Sequence, residues 1–187
     1  GLHQVGFAMM ASPTLLDGLR ILQQNLAVVS EDVSMNLEAD DRGYWIYLSL
    51  AKHHYAFRTR IEFSFLTTLM LCTWITRQNI VPLVQEWTFA APPDTRPYQA
   101  AFGCPQSFEQ AENRFLFSTE ILTAELPTES AMVCELHQNV LREQMARMGF
   151  ASIQYRVYTE ILRGLRYGEP RLSDIARAMH MYERTLQ

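Results

Sequence analysis

A chain of 187 residues with 48% hydrophobic side chains has enough apolar material for one core, or for one core with a small appendage. It carries no apolar run long enough to span a bilayer as a helix, and no signal peptide is read at its start. Cys72, Cys104 and Cys134 are odd in number and far apart. They fit neither a disulfide frame nor a zinc site, and a reducing cytoplasm is expected.

The net charge of -4 argues against nucleic-acid binding by the whole chain, but the charge is unevenly spread. Residues 1–141 hold 8 basic and 15 acidic side chains, a balance of -7, whereas residues 142–187 hold 8 arginines and 5 acids, a balance of +3. A basic end on an acidic chain is the electrostatic footprint of a local nucleic-acid contact, or else a solvated helix surface.

Gly1 to Met10 is apolar and has no landmarks. Without an initiating Met, it reads as an internal start, and both ends of the natural protein are expected to lie outside this sequence. Ser12-Pro13 reads as N-cap and first helical residue of a helix ending near Ser30. Leu15, Leu19, Leu22, Leu26 and Val29 form its apolar stripe. Val33, Met35 and Leu37 alternate with Ser34, Asn36 and Glu38, predicting a half-buried strand. Asp40-Asp41-Arg42-Gly43 is a turn, and Tyr44 to Leu50 completes an antiparallel hairpin. Phe57 to Arg77 lacks Pro and Gly and is long enough for a helix. Ile61, Phe65, Leu69, Cys72 and Ile75 make one stripe, and Phe63, Leu66, Met70 and Trp74 a second. Two stripes predict packing on two sides.

Pro82 to Ala90 predicts a third strand, with Trp87 and Phe89 on one face. A short helix through Tyr98 and Phe102 stops at Gly103. Gln106 to Gln110 and Arg114 to Phe117 predict a second hairpin around Glu112-Asn113. Beyond Pro127, Thr128 opens a long helix to about Met148. Its residues Cys134, Leu141, Met145 and Met148 share one side, and Val133, Leu136 and Val140 an adjacent one. Gln154 to Tyr167 predicts a further helix, stopped at Gly168.

No motif carries catalytic chemistry. His53-His54 are adjacent and do not face one metal. Cys104 has no His near it in sequence, and a buried small residue is its ordinary role. There is no Gly-rich phosphate loop and no nucleophile elbow. Glu109 and Glu112 fall on the rim of the expected hairpin. The aromatics Trp45, Trp74, Trp87, Phe89, Tyr98 and Phe102 are candidates to line a cavity between the sheet and the long helix, with Arg58, Arg60 or Glu62 at its mouth. Filling the core is their ordinary alternative.

The last stretch, Pro170 to Gln187, has the pattern of a helix-turn-helix. Ser173 or its predecessor is a candidate cap, Asp174 suits the first turn, and Ile175, Ala176 and Met179 form an apolar face. His180-Met181 is the turn, and Arg184-Thr185-Leu186-Gln187 opens a second helix.

Leu172 to Met179, followed by Arg184-Thr185-Leu186-Gln187, resembles the first helix-turn-helix of the AraC/XylS transcriptional regulators. Tyr98, Phe102-Gly103-Cys104-Pro105, Phe108, Asn113, Phe115 and Phe117 resemble the arabinose-binding-domain type of effector domain in one branch of that family, the branch of the ornithine-utilisation regulator. Gly6, Ser12-Pro13-Thr14-Leu15 and Pro82 fit the same domain. One departure is Tyr182, where the family places a capping Ser; Tyr cannot cap in that way.

The resulting expectation is an α+β fold. An antiparallel sheet of about five strands is covered by helices and followed by an all-α linker and a partial helix-turn-helix. Residues 1–127 form an effector-sensing domain, 128–150 a linker and dimerisation helix, and 151–187 the start of a DNA-binding domain. The resemblance implies a cytoplasmic transcription regulator rather than an enzyme, with no cofactor and no metal. Its alternative is a ligand-independent regulator whose first domain serves only dimerisation. Promoter DNA would meet Arg171, Tyr182, Arg184, Thr185 and Gln187. An unidentified small effector would meet Trp45, Arg60, Glu62, Trp74, Trp87, Tyr98 and Phe102. A second copy of the chain would meet Cys134, Leu141 and Met145. RNA polymerase is a further candidate partner, and a membrane is not.

Overall fold

The computed structural model describes residues 2–30, 32–50, 57–148, 157, 160–161, 171–179 and 181–185. Two compact units divide the chain, Gly1–Leu141 and Arg142–Gln187.

The first unit opens with a helix that the sequence reading leaves unassigned, α1 (Leu2–Met10). Val5, Ala8 and Met9 recur at helical spacing and are all buried. The next helix, α2 (Leu15–Val29), is capped by Thr14 and not by Ser12. The Asp17 amide donates to Thr14 Oγ1 at 3.2 Å, and that hydroxyl donates to the Asp17 carboxylate at 2.7 Å. Ser12 is instead buried, and its hydroxyl donates to the Ala8 carbonyl at 2.9 Å. Pro13 therefore lies outside the helix, and Ser30 closes it, its amide donating to the Leu26 carbonyl at 2.8 Å.

The hairpin β1 (Val33–Asp40) and β2 (Gly43–Leu50) forms as expected, with Asp40 opposite Gly43. Gly43 has a steric reason. A Cβ there would lie 1.9 Å from the Phe117 carbonyl oxygen, because β2 pairs next with β5 (Arg114–Ser118). The five-stranded sheet has the order β1-β2-β5-β3-β4, with β3 (Val84–Glu86) against β5 and β4 (Gln106–Ser107) at the edge.

The expected second hairpin does not form. β4 pairs with β3, and in parallel. The Gln85 amide donates to the Pro105 carbonyl at 3.0 Å and the Trp87 amide to the Ser107 carbonyl at 2.8 Å. Gln110 then turns back onto Trp87, its amide donating to the Trp87 carbonyl at 2.9 Å. These ladder bonds take up the backbone that a β4–β5 hairpin would need.

Helix α3 (Phe57–Thr76) packs its first stripe, Ile61, Phe65, Leu69, Cys72 and Ile75, into the core beside Ile46, Phe115 and Phe117. The second stripe divides. Leu66 joins the core margin, but Phe63, Met70 and Trp74 are exposed. Packing on two sides is therefore not what the described residues show. The short helix α4 (Arg96–Phe102) ends at Gly103, whose φ of 68° lies in the left-handed region that favours glycine. A short helix α5 (Thr119–Thr123) follows β5.

Helix α6 (Ala131–Arg147) starts three residues later than expected. The Thr128 hydroxyl donates to the Met10 carbonyl at 2.6 Å, and the Ser130 amide to the Ala11 carbonyl at 3.0 Å. That strap seats the start of α6 on the end of α1.

In the second unit, α7 (Leu172–Ala178) has Arg171 at its N-cap, with no side-chain cap bond. Ser173 lies within the helix, so it is not the cap. Ile175, Ala176 and Met179 are buried as the spacing requires. After the turn, Glu183–Thr185 forms a single 3₁₀ turn. The expected helix Gln154–Tyr167 falls almost entirely outside the described residues, as do His53, His54, His180 and Gln187.

Candidate functional site

A cavity of about 220 Å³ lies in the first unit, walled by α2, the β1–β2 hairpin and α3. The last turns of α2 supply Leu22, Leu26 and Val29, with Ser30 at the cap. The hairpin supplies Val33, Met35 and Leu48. The alternation of the strands sends these three side chains to the helix-covered face. Helix α3 supplies Arg60, Phe63, Ser64, Thr67, Thr68 and Leu71.

The wall is chemically plain. The Ser64 hydroxyl donates to the Arg60 carbonyl at 2.9 Å, and the Thr68 hydroxyl to the Ser64 carbonyl at 2.8 Å. Both hydroxyls are thus held by their own helix. The charged group is Arg60. Its Nη2 donates to Ser30 Oγ at 3.2 Å, while its Nε is buried without a partner among the described residues. An unmet donor on a permanent cation is costly unless an acceptor arrives.

The other expected site residues are placed elsewhere. Glu62 accepts from Arg58 Nε at 2.9 Å and from the Tyr98 hydroxyl, which itself accepts from Arg58 Nη2 at 2.7 Å. Burial, reinforced by the Glu62 carboxylate, holds the Tyr98 phenol above its ordinary pKa. The Arg58 guanidinium also lies 4.5 Å from the Phe89 ring centre. This closed triad caps an aromatic cluster in which Trp87 is fully buried. The Trp87 ring meets Phe65, Phe89, Tyr98 and Phe102 at 5.1–5.7 Å, and its Nε1 donates to Gln106 Oε1 at 2.8 Å. Trp87, Tyr98 and Phe102 thus fill core rather than line the cavity.

Trp45 is on the opposite face of the sheet from the cavity. It packs with Tyr47 and Leu116, because odd positions of β2 face away from Ile46 and Leu48. Trp74 is 58% exposed on the outer side of α3. Of the seven expected ligand contacts, only Arg60 lines the cavity. The aliphatic lining is not legible in the sequence, because Leu22, Leu26, Met35 and Leu48 have the same spacing as ordinary core residues. Only the partial exposure of Leu26 and Val29, visible in three dimensions, separates them.

The expected dimer residues also move. Cys134 and Leu141 are buried in the first unit. Cys134 Sγ lies 3.6 Å from the Ala8 carbonyl, and the neighbouring His137 bonds Gln4 and stacks on Phe7. The exposed apolar residues of α6 are Met132, Val133 and Leu136, with Met145 partly buried. In the second unit, Arg171, Tyr182 and Arg184 are exposed, and Thr185 ends the 3₁₀ turn.

The class defined by this geometry is a mixed α+β domain that holds a small apolar cavity under one cation. Residues 1–126 match the family described as the arabinose-binding domain of AraC transcription regulators, N-terminal, and the chain belongs to that family. Among solved structures, it is similar to the transcriptional regulator CdpR from Pseudomonas aeruginosa, at 18% identity and a TM-score of 0.59. That likeness covers 98% of this chain and 60% of the other, and it speaks for the fold. No curated relative matches the chain. Among the described residues, no helix is long and apolar enough to cross a membrane.

Proposed function

We propose that this chain is the effector-sensing part of a bacterial AraC-type transcription regulator, joined to the start of its DNA-binding domain. The family match over residues 1–126 carries the reading. The cavity under Arg60 supports it, since a sensor needs a concave, mostly apolar place for its effector. Residues 1–127 are then the sensor, 128–150 the connecting helix, and 151–187 the beginning of the DNA-binding part, with Arg171, Tyr182, Arg184, Thr185 and Gln187 toward promoter DNA. The effector acts by population shift. It binds one arrangement of the whole regulator better than another and so changes DNA affinity or polymerase contact. A thermal-denaturation screen against metabolites tests the sensor. At least one metabolite should raise the midpoint in a concentration-dependent way, and an intact full-length protein that responds to none would overturn the reading.

The ligand-independent alternative draws on one observation, the exposed apolar strip Met132, Val133 and Leu136 on α6. We propose that this strip pairs with the same strip of a second copy, since a two-fold axis buries both at once. Sensing and pairing are compatible.

A further inference from the structure

We infer that the cavity between α2, β1–β2 and α3 takes a medium-chain aliphatic monocarboxylate, its carboxylate on Arg60 and its alkyl chain among the leucines. This rests on the sensor reading and names the ligand class.

The head group follows from Arg60. Its buried Nε has no acceptor, and its Nη2 reaches only the Ser30 hydroxyl, among the described residues. Among the described residues, no carboxylate forms an ion pair with it. A guanidinium is a planar fork matched to two oxygens of one anion, and it stays charged at any working pH. An arriving carboxylate supplies the missing acceptor and the missing countercharge together. The cavity lining contains no second cation among the described residues, so one negative charge is the balanced load.

The rest of the ligand follows from what the lining lacks. Among the described residues, no carboxylate faces the cavity, and Glu62 is engaged by Arg58 and Tyr98. The ammonium of an amino acid would be stranded there. A sugar is served less well, because two of the four lining hydroxyls, Ser64 and Thr68, already spend their donors on helix carbonyls and the rest of the lining is mostly apolar. The walls opposite are Leu22, Leu26, Met35, Leu48 and Leu71. They are aliphatic and adaptable, and Phe63 is the one aromatic ring among the described lining residues, so the surface suits a flexible chain better than a stacked ring. A volume of about 220 Å³ suits a chain of medium length.

The test uses the whole 187-residue chain, with octanoate, 1-octanol, octylamine and ornithine as probes, followed by calorimetry and thermal denaturation. Octanoate should bind and raise the midpoint by about 3–6 °C near saturation. The alcohol and the amine should bind about tenfold or more weakly, having lost the charge-assisted pair. Arg60→Gln should lose octanoate binding by a similar factor while melting no lower than the wild type, since it removes an unmet charge. Arg58→Gln should keep octanoate binding. Leu26→Phe, which fills the cavity from the other wall, should block it with Arg60 intact. Equal binding of octanoate and octanol, or undiminished binding to Arg60→Gln, would overturn the assignment. If ornithine shifts the midpoint and octanoate does not, the sensor stands and the ligand class falls. If no probe binds and no metabolite in the wider screen does, both readings fail.

Discussion

The Arg114 guanidinium lies 3.9 Å from the centre of the Trp45 ring, while its Nε donates to the Glu86 carboxylate at 2.6 Å. Its Nη1 also donates to the Tyr47 hydroxyl at 3.0 Å. One side chain on β5 therefore lies over the outer face of β2 and pins β3 beside it. Arg114→Ala should lower unfolding free energy by about 1–3 kcal/mol, since partly buried charged partners lose their hydrogen bonds. Chemical denaturation followed by tryptophan emission measures it, and a change within error would show that the outer face needs no clasp.

The two tryptophans of the helix-covered side should behave oppositely. Trp87 is fully buried, and Trp74 is 58% exposed. Trp87→Ala should cost about 3–5 kcal/mol, as large core truncations do. Trp74→Ala should stay within about 0.5 kcal/mol of the wild type. Circular dichroism melts of both variants decide this, and comparable losses would contradict the placement of α3.

Leu136 is 61% exposed on α6, and Leu141 is fully buried on the same helix. If the exposed strip pairs two copies, Leu136→Glu should give a folded monomer in sedimentation. Leu141→Glu should unfold the domain, because a carboxylate enters the core without a partner. A wild type that stays monomeric at high micromolar concentration would rule out the pairing.

Burial pushes the Cys72 thiol up to about 12 and Cys104 to about 11, whereas an unfolded thiol titrates near about 8.5. The folded state therefore holds these protons more tightly. The linked stability is fully present below about pH 8.5 and is lost as pH rises toward the folded values. The urea midpoint should be flat with respect to this term at neutral pH and should fall above about pH 9. Cys72→Ala should flatten that fall, and an unchanged slope would contradict the assignment. At pH 8 the folded chain should expose neither thiol to alkylation.

The exposed Arg184 lies in the 3₁₀ turn after α7, and Arg20 lies on α2 in an ion pair with Asp17. In a full-length regulator, Arg184→Ala should weaken promoter binding and Arg20→Ala should not. Gel-shift titrations compare them, and equal effects would argue against the DNA-facing role. Residues 1–187 alone should bind DNA weakly, with steep salt sensitivity; nanomolar, sequence-specific binding would contradict that.

Much of the architecture was legible from spacing. The stripe of α2, the β1–β2 alternation, the buried face of α3 and the Gly103 stop each depend on local periodicity or a local backbone demand. These signals are carried within ten to twenty neighbouring residues and need no partner to be read. The edge of the sheet was not legible. Gln106–Ser107 chooses β3 over β5, and both choices satisfy the same short polar pattern.

The site divides along the same line. The sequence by itself determined the family through Phe102-Gly103-Cys104-Pro105 and Asn113, and it placed Arg58, Arg60 and Glu62 together at the start of an apolar helix without choosing among them. Which aromatics meet a cavity was decided only by tertiary structure. Trp45 and Ile46 are neighbours in sequence, yet they face opposite sides of one sheet. Trp74 and Ile75 likewise divide between solvent and core. Aromatic character attracts a side chain to any apolar surface, and only the packed arrangement of α2, the hairpin and α3 selects which surface stays empty and leaves Arg60 Nε without an acceptor.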